Sequence, residues 1–169
     1  TQGGIKLRTQ LKKFNYAVGL TWQQADLVGT IIAASKDSVI KKSFNNFLPN
    51  ARFQYNFTRY RNLIMNYQTM TNQPTVSQLQ PVPDISNPLN IRNGNPNLHQ
   101  EFTQMMRLQY SSVNPFKNRN LFVFLNAQAT NNKIVNFDVI NQYGIKVSTP
   151  VNVSGVYIVN GDVNIGLLI

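Results

Sequence analysis

The 169 residues are enough for one hydrophobic core and too few to divide comfortably into two. Sixteen Lys and Arg against six Asp and Glu give a formal net charge of +10, and the absence of cysteine excludes disulfides, thiolate catalysis and Cys-based zinc sites. Only 13% of residues are charged; 24 Asn and 14 Gln supply the polarity instead, so copies of the chain would repel one another weakly, while the excess of cations points to anionic partners.

The chain opens with a basic arm, residues 1–14, in which Lys6, Arg8, Lys12 and Lys13 follow a Gly3-Gly4 pair without any acid. Alternating Ile5, Leu7 and Thr9 could add this arm to a neighbouring sheet edge while its cations neutralise phosphates; a solvated charged terminus is the plain alternative. Residues 15–169 read as one domain. Tyr16, Val18 and Leu20 alternate as a strand, residues 23–26 look like a connection, and Gly29-Thr30-Ile31-Ile32 starts a second strand. Trp22 reads as a core or interface anchor. Asp37 or Ser38 is placed to cap a short helix that Pro49 stops, with Val39, Ile40, Phe44 and Phe47 near one face.

Over residues 51–67, Phe53, Tyr55 and Phe57 alternate with Arg52, Gln54 and Asn56, the period-2 pattern of a strand with one buried face. Arg59-Tyr60-Arg61 interrupts it as a bulge or turn, and Leu63, Met65 and Tyr67 resume the parity. Pro74, Pro81, Pro83, Pro88 and Pro96 then mark a long loop over residues 68–97, followed by a short helix near residues 98–106 with His99 exposed at its start. Met106, Leu108 and Tyr110 alternate again, and residues 121–125 read as a strand buried on both faces. Turns are expected at residues 130–132, at Tyr143-Gly144 and, as a type I′ hairpin, at Asn160-Gly161. The sequons at Asn56 and Asn152 are no more than such an Asn-rich chain produces by chance.

No phosphate loop, dinucleotide fingerprint, nucleophile elbow or zinc-protease motif is present, and one histidine with six scattered acids leaves little for acid and base catalysis. We expect no enzymatic activity, no cofactor and no metal site. The longest apolar runs fall far short of a helical membrane span, and no charged-then-apolar leader is visible, so no membrane span is expected.

The element rhythm predicts an all-β fold: an eight-stranded antiparallel jelly-roll sandwich with one or two short helices and a long Pro-rich loop. The basic arm, Leu20-Thr21-Trp22 with Asp26 and Gly29-Thr30, the short helix, and Tyr60-Arg61 opening a β-run resemble the amino-terminal half of capsid proteins of small icosahedral viruses, picorna-like or single-stranded DNA type. That resemblance implies a non-enzymatic coat subunit of a virion, assembling with copies of itself or related subunits into a closed shell. Lys6, Arg8, Lys12 and Lys13, with Arg59 and Arg61 in second rank, would contact the viral nucleic acid without base selection. Two other expectations stand beside it: a β-sandwich binding module (adhesin, pilus-type or lectin-like) holding a ligand with the 68–97 loop, and an OB-type nucleic-acid-binding domain.

Overall fold

The computed structural model describes residues 1–31 and 38–167. Its main body is one seven-stranded sheet of β1 (Gln2–Gln10), β2 (Phe14–Ile31), β3 (Ser38–Thr58), β4 (Arg61–Asn72), β6 (Glu101–Asn114), β7 (Arg119–Asn131) and β10 (Val156–Leu167). Each strand pairs antiparallel with the next in that order. A smaller sheet sets β9 (Lys146–Val153) between β5 (Asn90–Arg92), which it meets in parallel, and β8 (Lys133–Ile140), which it meets antiparallel. One short helix, α1 (Val76–Leu79), lies in the loop after β4, its first turn closed by a reciprocal Thr75–Gln78 capping box.

The all-β, mostly antiparallel expectation holds. The jelly roll does not: its strands would cross between two stacked sheets, whereas here sequential strands lie side by side in a meander, interrupted only where β5, β8 and β9 are inserted within connections. Three local expectations fail for a common reason. Residues 38–48 form β3 and not a helix, residues 23–26 lie inside β2, and the chain from Glu101 continues as β6. Each of these segments pairs with a neighbouring strand over most of its length, and that pairing outweighs local helical spacing or turn propensity. Asp37 as a cap, and Ile32, lie outside the described residues. Pro49 sits where pairing of β3 with β4 stops, so its missing N–H leaves no gap in that ladder. Asn160-Gly161 makes no hairpin, because β10 runs straight through it against Asn126 and Leu125.

Following the register assigns every side chain of the large sheet to one of two faces. One presents Ile5, Leu7, Val18, Leu20, Phe47, Phe53, Met65, Leu108, Val123, Leu125, Val163 and Ile165. The other presents Lys6, Arg8, Asn50, Arg52, Gln54, Asn62, Asn66, Arg107, Gln109, Asn126, Gln128 and Asn160. The apolar face is left partly exposed, as it would not be in a soluble sandwich. On β2 the apolar-face Val18 is 53% exposed, and on β3 Phe47 is 65% exposed; on the polar face Ala17 and Gly19, on either side of Val18, are buried while Arg8, Arg52 and Arg107 are exposed. The 121–125 strand expected to be buried on both faces leaves Leu125 41% exposed.

Consequently the chain has little core. Among the described residues only Ala17, Leu79 and Leu98 are buried hydrophobics in full, and the last two belong to the loop after β4. The accessible surface is 11934 Å², against about 8,400 Å² for a compact soluble protein of this mass. Among the described residues nothing covers the apolar face of the sheet.

The three connections at one end of the sheet are short: residues 11–13, 59–60 and 115–118. Two at the other end are long, and residues 73–100 and 132–155 fold over the end of the sheet there. Leu79 and Leu98 are packed beneath them, Lys42 Nζ donates to the carbonyls of Pro96 at 2.6 Å and Leu98 at 2.9 Å, and Asn95 donates from its backbone to Gln78 and from its side chain to Pro150. Gly94 is required here, because a Cβ at this position would overlap the backbone of Gln80. We therefore expect Gly94→Ala to destabilise this cap by about 1–3 kcal/mol, read as faster protease cleavage within residues 73–100. Gly3→Ala, which meets open space, should leave that cleavage unchanged.

Candidate functional site

Two regions concentrate polar and charged groups: the polar face of the large sheet and the cap at its long-loop end. On the polar face Lys6 and Arg8 project from β1 towards Arg52 of β3, with Ala17 of β2 between them. The Arg52 guanidinium donates to Asn66 Oδ1 at 3.2 Å, and Arg107 of β6 lies directly opposite Asn66. Arg8, Arg52 and Arg107 are exposed. Among the described residues the one ion pair, Lys146 with Asp138, is elsewhere.

The residues singled out from the sequence divide between two places. Lys6 and Arg8 lie on this polar face, whereas Lys12, Lys13, Arg59 and Arg61 sit at the short-turn end, where the Lys13 carbonyl accepts from Asn56 N at 2.7 Å. Arg52 and Arg107, which share the face with Lys6 and Arg8, escape any reading by local clusters of charge. Their signal is parity: each sits one residue from an apolar-face side chain, Phe53 and Leu108.

The apolar face ends in aromatic rings. Towards the short turns Phe14 stacks on Tyr16 at 5.9 Å between centroids, and Phe57 meets Tyr55 edge-on at 4.7 Å and Tyr110 at 6.3 Å. Trp22 and Phe47 pair across strands towards the long loops, where Phe102 and Tyr157 also lie, so Trp22 is an exposed surface anchor at 39% and not a core residue. Between Phe47 and Tyr55 the band on β3 measures about 27 Å along the strand, or about 20 Å along the normal at the tilt usual in barrels.

In the cap, acids serve structure. Glu101 accepts from the Ile134 backbone at 2.7 Å and from Asn72 at 3.1 Å, joining β6 to the base of the β8–β9 hairpin. Asn152 accepts from His99 N at 2.8 Å and donates to the carbonyls of His99 and Asn132, which gives this sequon residue a structural role. His99 is exposed, as expected, though in no helix. Thr75, Gln78, Asp84, Arg92, Asn136 and Ser148 line a depression between the two long connections. Among the described residues no three of His, Asp and Glu converge into a metal-holding group.

A meander with an outward apolar band edged by aromatic rings, a polar opposite face, and turns short at one end and long at the other is the anatomy of a wall section of an outer-membrane-type β-barrel. The chain belongs to the outer membrane protein β-barrel family, whose model matches residues 3–167. Among solved structures it resembles the hemophore receptor HasR of Serratia marcescens, determined as a double mutant in complex with its hemophore HasA and heme. The TM-score is 0.71 at 13% identity over 97% of this chain and 31% of that one, so the likeness speaks for the fold and this chain spans under a third of that receptor. No curated protein matches it.

These findings overturn the capsid reading. The chain is no coat protein of an icosahedral virus; virion localisation, shell assembly with its own copies, and viral nucleic acid as partner all fall with it. The sandwich binding module and its 68–97 loop are likewise unsupported. Among the described residues no helix is long and apolar enough to cross a membrane, but that says nothing of strands, which cross with half the length and one apolar face, and the expectation of no membrane span falls with the barrel family.

Two carboxylates outside the large sheet are held in their charged form. A hydrogen bond from Lys146, then one from Ser148, keeps Asp138 below its ordinary value of 3.8, and the Ser86 hydroxyl and backbone do the same for Asp84. A depressed folded value means the stabilisation is present above the unfolded value and lost as pH falls through the folded one. A spin label at Gln142 should therefore gain mobility as pH drops from about 5 to about 2, and Asp138→Asn should be mobile throughout.

Proposed function

We propose that this chain forms a section of the wall of a bacterial outer-membrane barrel of the receptor type. Its apolar face meets lipid and its polar face lines the interior. The observation supporting this is the uncovered apolar face of a single ladder: adjacent residues such as Leu125 and Asn126 put an exposed aliphatic side chain on one side and an exposed amide on the other. Hydrocarbon is the solvent in which that arrangement is stable, because the aliphatic face then faces no water while every backbone pair remains bonded within the ladder. Short turns lie towards the periplasm and long connections towards the medium in such barrels. That places the 73–100 and 132–155 connections outside, in position to meet a ligand, and we propose a receptor role in uptake with the wall itself non-catalytic. Heme and hemophore belong to the solved receptor; His99, the single histidine of this chain, gives no ground for transferring them.

The test compares neighbours. In the full protein reconstituted in bilayers, a spin label at Leu125→Cys should relax with dissolved oxygen and one at Asn126→Cys with a water-soluble nickel chelate; the same reagent preference at both positions sinks the proposal. In addition, Leu125→Arg should cost about 2–4 kcal/mol in refolding titrations, and Asn126→Arg no more than about 1 kcal/mol.

A further inference from the structure

One level of the ladder reads, strand by strand, Arg8, Ala17, Arg52, Asn66, Arg107, continuing into Asn126 and Asn160. All are on the polar face. The three guanidinium groups occupy alternate strands, so their backbones are spaced by about 9.5 Å. Small or amide residues between them leave the side chains free to converge. Arg52 borders three adjoining depressions: one shared with Lys6 and Arg8, one with Lys6 and Asn50, and one with Asn66 and Arg107. The three share Arg52 in their walls and follow one another along the row of cations.

Among the described residues no acid neutralises the row. On the polar face of the described sheet, Asp162 lies one level away on β10, opposite Phe124 and hydrogen-bonded to Asn164 at 2.5 Å, and Glu101 is occupied at the far end of β6. The only side-chain hydrogen bond of Arg52 among the described residues is to a neutral amide. Unpaired guanidinium groups flanked by amide donors are a receptor for oxyanions: arginine matches carboxylate and phosphate with two parallel N–H donors, and rows of Arg or Lys inside pores select anions.

We propose that Arg8, Arg52 and Arg107 form a binding site for small multivalent oxyanions, phosphates or polycarboxylates, on the interior face of the barrel. The location inside a barrel rests on the function proposed above; the row of cations does not. The full-length protein in detergent micelles is titrated calorimetrically with pyrophosphate in one arm and citrate in the other. Saturable binding of either, lowered at least tenfold by Arg52→Gln and by Arg107→Gln but unchanged by Lys117→Gln in the β6–β7 turn, supports the site, and the arm that binds tells phosphate from carboxylate. Phenylglyoxal should modify Arg52 and Arg107, read by peptide mass mapping, and the binding anion should protect them. Three results would overturn the site: no saturable binding, equal loss on Lys117→Gln, or arginines unreactive without any anion because a polypeptide segment covers them. If the Leu125 label still reports lipid, such a failure removes the anion site and leaves the wall assignment standing.

Discussion

Everything in this molecule depends on one seven-stranded antiparallel ladder. Seven strands satisfy one another's backbone groups, which frees the side chains to divide between a mostly apolar face and a mostly polar one, the latter also carrying Ile64, Phe122 and Phe124. A soluble sandwich uses the same alternation to bury its apolar side chains against a second sheet. Here the second sheet is too small and lies at one end, made of strands β5, β8 and β9, so among the described residues the broad apolar face is left uncovered. The sparse core follows, as does the abundance of Asn and Gln, which dress a wide polar face without the self-repulsion that the same area of one charge would create.

The strands themselves were legible in the residues. Phe53, Tyr55 and Phe57, then Leu63, Met65 and Tyr67, announce two strands with an irregular corner, and the structure has a turn at Arg59-Tyr60 with a shifted register between Asn56 and Thr58. The turns near Asn132 and Gly144 also stand, both at positive φ. What alternation cannot say is which face meets water. Period 2 with one apolar side describes a sandwich strand and a barrel strand equally well, and the familiar choice, apolar inward, leads to the jelly roll and from there to a shell protein. Tyr157 and Val159 before Gly161, and Val163 and Ile165 after it, keep one odd-numbered parity, a readable argument against a hairpin at Asn160-Gly161, since a turn there would have reset it.

The candidate site was less accessible, for a physical reason. Lys6 and Arg8 attract notice because they stand in a basic run, yet their partners on the face are isolated cations far along the chain, Arg52 and Arg107, and only the register between strands brings the four to one region. Local charge density finds tails and turns; it is blind to residues aligned across a sheet. The same holds in the cap, where Glu101 and Asn152 are structural clasps whose hydrogen-bond partners lie tens of residues away.

The three-residue parallel pairing of Asn90, Ile91 and Arg92 with Lys146, Val147 and Ser148 is small, but it joins the two long connections that otherwise spring from different parts of the sheet. Asn95 with Pro150 and His99 with Asn152 add rivets along the same seam. The lip of the molecule is thus a single plate hinged on several strands at once: whatever presses on the β8–β9 hairpin from outside is felt by the proline-rich segment beside it, and through Lys42 by the strand beneath.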